Sequence, residues 1–245
     1  ADHWLAAPAQ MVDPATRSLL VLYDDVQSIY QKSRRKLSFA KLGIDAKGRT
    51  EILKVNYRNT TEVLALALEC AAGLLEGKVG AEEDVAPVVI PQSAGRSGPV
   101  PTFHSFADGR TEAAHIAAAI AEDIAGGRSP SDIAVIAPRR SALDTIEAAL
   151  RGKSIPVRPF KSPASDGPAV RLTTLHSSKG LEFPVVHVAA VDGLDGSPAR
   201  RDEELRLLYV GMTRATHRLH LSSVGTNQLV AHVERSVDRV SKAYH

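Results

Sequence analysis

Apolar residues in this chain fall into short unbroken runs, separated by longer stretches in which they recur at helical spacing. Ile133-Ala134-Val135-Ile136-Ala137 and the run Pro184 to Ala190 are apolar throughout, and Val170 to Thr174 alternate. Short continuous runs predict strands covered on both faces, as in a parallel sheet. Thr102 to Phe106, Ile155-Pro156-Val157 and Arg218 to Ser222 add three more strands, and the proline puts Ile155–Val157 at an edge. Helices are predicted from an N-cap at Thr60 through Leu75, and over Arg110 to Ala125, where Gly126-Gly127 stop the helix. Ser141 to Leu150 places Leu143, Ile146, Ala149 and Leu150 on one side. Glu203 to Ala215 and Leu229 to Val240 complete the set. Alternating strands and helices predict an α/β fold with a mostly parallel sheet.

The ends of the pattern are less regular. Trp4, Leu5, Met11 and Val12 suggest one face of a short helix ending before Asp13-Pro14. Ser18 to Tyr23 is read as a buried strand, and Ile52 to Val55 as a short one. Gly77 to Pro101 is rich in glycine, proline and acids and is expected to be a surface loop with one short strand. Asp192 to Arg201 reads as a second loop.

Composition narrows the classes. The 245 residues suffice for one large α/β domain or two small ones. A formal net charge of +2 gives no global footprint for nucleic acid, so such a site would be a local patch. Cys70 is the only cysteine, which excludes an intrachain disulfide and suits a reduced, cytoplasmic setting. No apolar stretch is long enough to span a bilayer, so no membrane association is expected. His217 and His220, three apart on a predicted strand, face opposite sides, and no metal site is expected.

Four polar segments carry the candidate chemistry. Thr174-Leu175-His176-Ser177-Ser178-Lys179-Gly180-Leu181-Glu182-Phe183 joins two strands through small residues that let a backbone approach a ligand. Asn56-Tyr57-Arg58-Asn59 offers a ring for stacking and a guanidinium fork for phosphate. Glu203 to Ala215 includes Arg206 and Arg214, eight apart, more than two turns on roughly one side of a helix. Asp24-Asp25-Val26-Gln27-Ser28-Ile29-Tyr30 follows the predicted strand Ser18–Tyr23. Taken singly, each reads equally well as a solvated turn or a packed helix face.

Together, and in their order along the chain, they resemble motifs of UvrD/Rep-like superfamily 1 DNA helicases. The first segment matches Thr-x-His-x-x-Lys-Gly-Leu-Glu-Phe at every fixed position. Asn-Tyr-Arg-Asn resembles Asn-Tyr-Arg-Ser. The helix resembles Glu-Glu-Arg-Arg-Leu-x-Tyr-Val-x-x-Thr-Arg-Ala, with Leu205 in place of the first arginine. Gln27 resembles the glutamine of Gly-Asp-x-x-Gln-Ser-Ile-Tyr, with Tyr23 in place of the glycine. After Tyr30 comes the basic run Gln31-Lys32-Ser33-Arg34-Arg35-Lys36 where the family has an aromatic and Arg-Gly. That run suits either phosphate contact or a solvated face.

The resemblance implies a three-layer RecA-like, P-loop NTPase-type domain without its own phosphate loop. It implies that 1–50 is the end of a first RecA-like domain and 51–245 the second. Arg58, Arg214 and Gln27 are the implied catalytic residues. Tyr57, Gly180, Glu182 and Arg206 are the implied nucleotide-binding set, and Thr174, His176 and Phe183 the implied DNA contacts. Phe183 reads alternatively as core. The implied cofactor is ATP with Mg2+, present only in an intact parent. The implied partners are single-stranded DNA and an amino-terminal RecA-like domain, and a monomer is expected. No Gly-x-x-x-x-Gly-Lys-[Ser/Thr] occurs in the chain. Only Arg158 to Pro168 fill the gap where much of the family carries a helical insertion. An isolated chain is therefore expected to be inactive, and the alternative is a non-catalytic DNA- or protein-binding module on a helicase fold.

Overall fold

The computed structural model describes residues 53–75, 90–159 and 167–244, with scattered positions at 7–8, 10–13, 15–16, 18–21, 44, 48–49, 51 and 162. The elements run β1 (Val55–Asn56), α1 (Thr61–Leu75), β2 (Gln92–Ser93), β3 (Thr102–Ser105), α2 (Gly109–Ala125), β4 (Ile133–Ala137) and α3 (Arg140–Gly152). Then come β5 (Val157–Arg158), β6 (Val170–Thr174), β7 (Phe183–Val188), α4 (Arg201–Met212), β8 (Ala215–Ser223) and α5 (Gln228–Tyr244).

Six strands form one sheet in the order β3-β8-β7-β4-β6-β5, and every neighbouring pair is parallel. The apolar run of β4 explains its place at the centre. Ile133, Val135 and Ala137 point to one face and pack with residues of α2 and α3, such as Ile116, Ile120, Ile146 and Leu150. Ala134 and Ile136 point to the other face, into a larger core with Leu66, Leu208, Met212 and Val233 of α1, α4 and α5. A period of two on a strand covered twice makes every position apolar. The result is the expected α/β, mostly parallel, three-layer architecture.

β6 and β7 are parallel and flank β4, so residues 175–182 must run back along the sheet. Leu175, fully buried, packs under α4 during this return. Gly211 makes room for it: a Cβ there would lie 2.3 Å from Leu175 Cδ2.

Two expectations are corrected. Residues 18–21 form no strand, and Leu20 is 80% exposed. An apolar run becomes a buried strand only where a ladder can accept it, and no described strand pairs with this one. The helix expected to reach Ala215 ends at Met212. Thr213 turns its hydroxyl back to the carbonyls of Tyr209 and Val210, at 2.9 and 3.1 Å, and the backbone enters β8. Arg206 and Arg214 therefore do not share one continuous helix. The described residues among 7–11 are helical and the helix stops before Asp13, as expected, with Met11 exposed; Trp4 and Leu5 lie outside the described residues.

Candidate functional site

β1 leads into a turn built by its own side chains. Asn56 Oδ1 accepts the backbone N–H groups of Arg58 and Asn59, at 2.9 and 3.0 Å. An asparagine that bonds two residues onward closes such a turn without a glycine. The turn is pinned from the other end by Asn59, which is 1% exposed. Its Nδ2 donates to the carbonyls of Thr213 and Ala215, at 3.0 and 2.7 Å. Those two residues flank Arg214. Arg96 Nη2 adds donations to the carbonyls of Arg58, at 3.0 Å, and of Thr216.

The turn presents Tyr57 with 75% of its surface exposed, and Arg58 beside it. Arg58 Nε lies 2.9 Å from Glu182 Oε2, with side chains 42% and 60% exposed. Phe183 N donates to Arg214 O at 2.9 Å, which fixes Glu182 and Phe183 against the same junction. Arg214 itself is 1% exposed. Its Nε donates to Val210 O at 2.9 Å and its Nη1 to Leu181 O at 3.1 Å. Segments more than 120 residues apart thus meet at the edge of the sheet where β7 and β8 begin.

Residues 169–222, which hold β6, β7, α4 and most of β8, match the sequence model of the UvrD-like helicase C-terminal domain. That stretch of the chain is similar to a UvrD-like helicase C-terminal domain. It is 49% identical over 67 residues to the ATP-dependent DNA helicase UvrD1 of Mycobacterium leprae, covering 24% of this chain and 9% of that protein. It is 47% identical over 73 residues to DNA helicase II of Haemophilus influenzae, covering 27% of this chain and 10% of that protein. The chain therefore matches about a tenth of the length of these curated relatives. Among solved structures it is similar to the C-terminal domain of a possible DNA helicase from Lactobacillus plantarum. There the TM-score is 0.55 at 20% identity, over 74% of this chain and 96% of that one.

The other expected residues separate into two groups. Gly180 sits in the return segment at φ +84°, a conformation that side chains disfavour, close in sequence to Glu182. Thr174 ends β6, its hydroxyl 3.1 Å from Ser177 Oγ, and His176 follows, exposed. Ala137 at the end of β4 pairs with Thr174, whereas Ile133 at its start pairs with Val185, two residues after Phe183. About six residues of strand separate the two levels, roughly 20 Å at about 3.3 Å per residue. Thr174 and His176 therefore lie at one end of the sheet and Phe183 at the other. Phe183 is half-buried and packs on the larger core. Arg206 is half-buried on α4. Gln27 lies outside the described residues, as does the basic run after it.

Several polar residues that hold the site up carry no pattern of their own. Glu62, buried in the first turn of α1, accepts Ser97 Oγ at 2.7 Å and Gly98 N at 2.8 Å. Glu204, buried, accepts the N–H groups of Asp195 and Gly196 at 2.9 and 2.7 Å. Asn59 is the one whose role a sequence signal hinted at, because it ends a recognisable motif.

Proposed function

We propose that this chain is the carboxyl-terminal motor half of an ATP-dependent superfamily 1 DNA helicase. In this reading 51–245 is the second RecA-like domain, and 1–50, mostly outside the described residues, ends the first. The observation that carries it is the junction held by Asn59, where Tyr57, Arg58, Glu182 and Arg214 gather from three separated motifs. A nucleotide is bound between this edge and a phosphate-loop domain, with the Tyr57 ring against the base. Arg58 stabilises charge that develops on the transferred phosphoryl group, and Arg214, buried and bonded to Val210 O and Leu181 O, fixes the junction from which Arg58 reaches it. ATP supplies the phosphoryl group, and Mg2+ arrives with it. The carboxylates that would hold the ion are assigned in this reading to the phosphate-loop half. Gln27 and Arg206 would contribute from either side of that cleft.

Arg58 must leave Glu182 to reach a phosphate. The pair is well exposed, and such pairs contribute only about 0–1 kcal/mol, so exchange for a phosphate is inexpensive. Single-stranded DNA is proposed to run over the opposite end of the sheet, at Thr174 and His176. Phe183 belongs with the nucleotide edge rather than with this track. The protein acts in the cytoplasm as a monomer, and no described helix is long and apolar enough to cross a membrane.

The test is phosphate release from ATP. The 245-residue chain alone is expected to release none above a denatured control, and addition of a phosphate-loop domain, fused or in trans, should restore it with single-stranded DNA. Steady turnover by the chain alone would refute the division of labour.

A further inference from the structure

The register of β8 against β7 slips directly after Arg214. Phe183 pairs with Ala215 and Val185 with Arg218, three residues of β8 against two of β7. β3 joins β8 only from Thr102 opposite His220 onward. The first residues of β8 therefore have no described strand on the side of β3 and an irregular ladder on the other, so their carbonyls need other donors. Phe183 N serves Arg214 O, and Asn59 serves Thr213 O and Ala215 O. Thr216 O is served by a side chain from a different segment, Arg96.

Arg96 sits in Gly95-Arg96-Ser97-Gly98, which follows β2 and folds over the first turn of α1. Gly95 turns the chain at φ +83°. Arg96 O accepts the N–H of Thr61 at 2.8 Å, and buried Glu62 takes Ser97 Oγ and Gly98 N at 2.7 and 2.8 Å. Gly98 fits so closely that a Cβ would lie 2.7 Å from Thr60 Cγ2 and 2.9 Å from His217 O. From this fixed backbone the Arg96 side chain reaches two carbonyls through one nitrogen. Nη2 donates to Thr216 O and, at 3.0 Å, to Arg58 O. Arg58 precedes the N-cap of α1, so its carbonyl has no place in the helical ladder. Asn56 holds the N–H of Arg58 at 2.9 Å, and Arg96 holds its carbonyl. The backbone of Arg58 is thus gripped at both ends and tied to the slip in β8.

We propose that Arg96 is a positioning residue for Arg58. It fixes the turn so that the Arg58 guanidinium, on leaving Glu182, meets the transferred phosphoryl group. The proposal rests on the nucleotide reading of this edge given above. A misplacement on the order of 1 Å can slow a reaction about 10²-fold. Arg58 acts through its planar fork and Arg96 through a single donor nitrogen, so lysine serves in place of the second and not of the first.

The experiment measures steady-state ATP hydrolysis, with saturating single-stranded DNA, by this chain joined to a phosphate-loop domain. Arg96→Met, Arg96→Lys, Arg58→Ala and the double variant Arg58→Ala/Arg96→Met are compared with wild type. Arg96→Met is expected to lower kcat about 10²-fold with little change in KM for ATP. Arg96→Lys should keep most of the rate, because an ammonium can donate to two carbonyls. In the double variant, Arg96→Met should add nothing to the loss caused by Arg58→Ala. A wild-type kcat in Arg96→Met, with Arg58→Ala slowed, would overturn this proposal and leave the nucleotide reading standing. So would fully additive losses in the double variant, or an Arg96→Lys enzyme as slow as Arg96→Met. A wild-type kcat in Arg58→Ala would instead overturn the nucleotide reading, and this proposal with it. Should Arg96→Met not fold, Arg96→Gln, whose amide nitrogen stops short of both carbonyls, is judged by the same outcomes.

Discussion

Replacing Asn59 by alanine removes the side chain that joins the Arg58 turn to the Arg214 junction. Two buried carbonyls, of Thr213 and Ala215, lose their donor, and Asn56 Nδ2 loses the acceptor it reaches at 2.9 Å. Asn59 is 1% exposed, so the groups it leaves are not readily solvated. Each unsatisfied buried group costs about 1–3 kcal/mol, and partial relaxation brings the sum to roughly 2–4 kcal/mol. For a domain of this size, about 2–4 °C per kcal/mol translates into a melting temperature lower by roughly 5–15 °C. Asn59→Asp should be no better, because a carboxylate keeps the acceptor but sets negative charge against two carbonyls. Asn59→Ser, the residue the family motif has there, should fall between wild type and alanine, because its shorter side chain cannot span both carbonyls. Urea and thermal unfolding followed by circular dichroism measure all three. An alanine variant within about 0.5 kcal/mol of wild type would mean that the turn and the junction are held by other contacts.

Acid should loosen the fold through the histidines between α2 and the sheet. Burial pushes His220 down to about 4 from 6.5, with Arg218 acting in the same direction, and burial drives His187 well below its usual range. His104 and His115 line the same cavity; Glu112 of α2 accepts from Ser222 in its lining, and the Arg218–Asp123 pair acts on His220 from beside it. A lowered histidine is neutral when folded. Its contribution is complete above about pH 6.5 and is lost as pH falls toward about 4, amounting to about 3 kcal/mol for His220 alone. A melting temperature flat across that window, or a His220→Gln variant with the same acid sensitivity as wild type, would refute this. Gly211→Ala should cost about 1–3 kcal/mol, because its Cβ would overlap the buried Leu175 Cδ2; chemical denaturation measures it, and a neutral result would show that α4 can shift. Tyr57→Ala, fully folded because the ring is exposed, should raise KM for ATP with less effect on kcat in the reconstituted enzyme, since stacking is equal in ground and transition states.

The sheet was legible because β4 and its neighbours are apolar at every position, which only a doubly covered strand requires. Elements whose fate depends on partners were less so. Residues 18–21 look like β4 in composition but have no described ladder to join. Thr213 ends α4 through hydroxyl bonds to Tyr209 and Val210, and nothing in the helical stripe of Leu205, Leu208, Tyr209 and Met212 marks that stop. Of the candidate site, Arg58 and Glu182 were grouped by motif alone, and the structure brings them into contact at 2.9 Å. Asn59 was passed over because its partners are 154 and 156 residues away. The resemblance groups Phe183 with His176 as DNA contacts, and their separation along the sheet is not visible in the sequence. Only the parallel pairing of both β6 and β7 with β4 shows that the chain doubles back between them.

The central claim, that this edge completes a nucleotide site, is tested most directly through Arg58. Arg214 is less suitable, since its guanidinium bonds Val210 O and Leu181 O and its loss would disturb the fold as well as the chemistry. Steady-state ATP hydrolysis with saturating single-stranded DNA is measured with this chain joined to a phosphate-loop domain, as wild type, Arg58→Ala and Arg58→Lys. Melting temperatures close to wild type are expected, with kcat lower by about 10³-fold in Arg58→Ala and little change in KM. Arg58→Lys should recover little, because an ammonium lacks the planar fork. An Arg58→Ala enzyme with wild-type kcat, or one in which only KM rises, would contradict it.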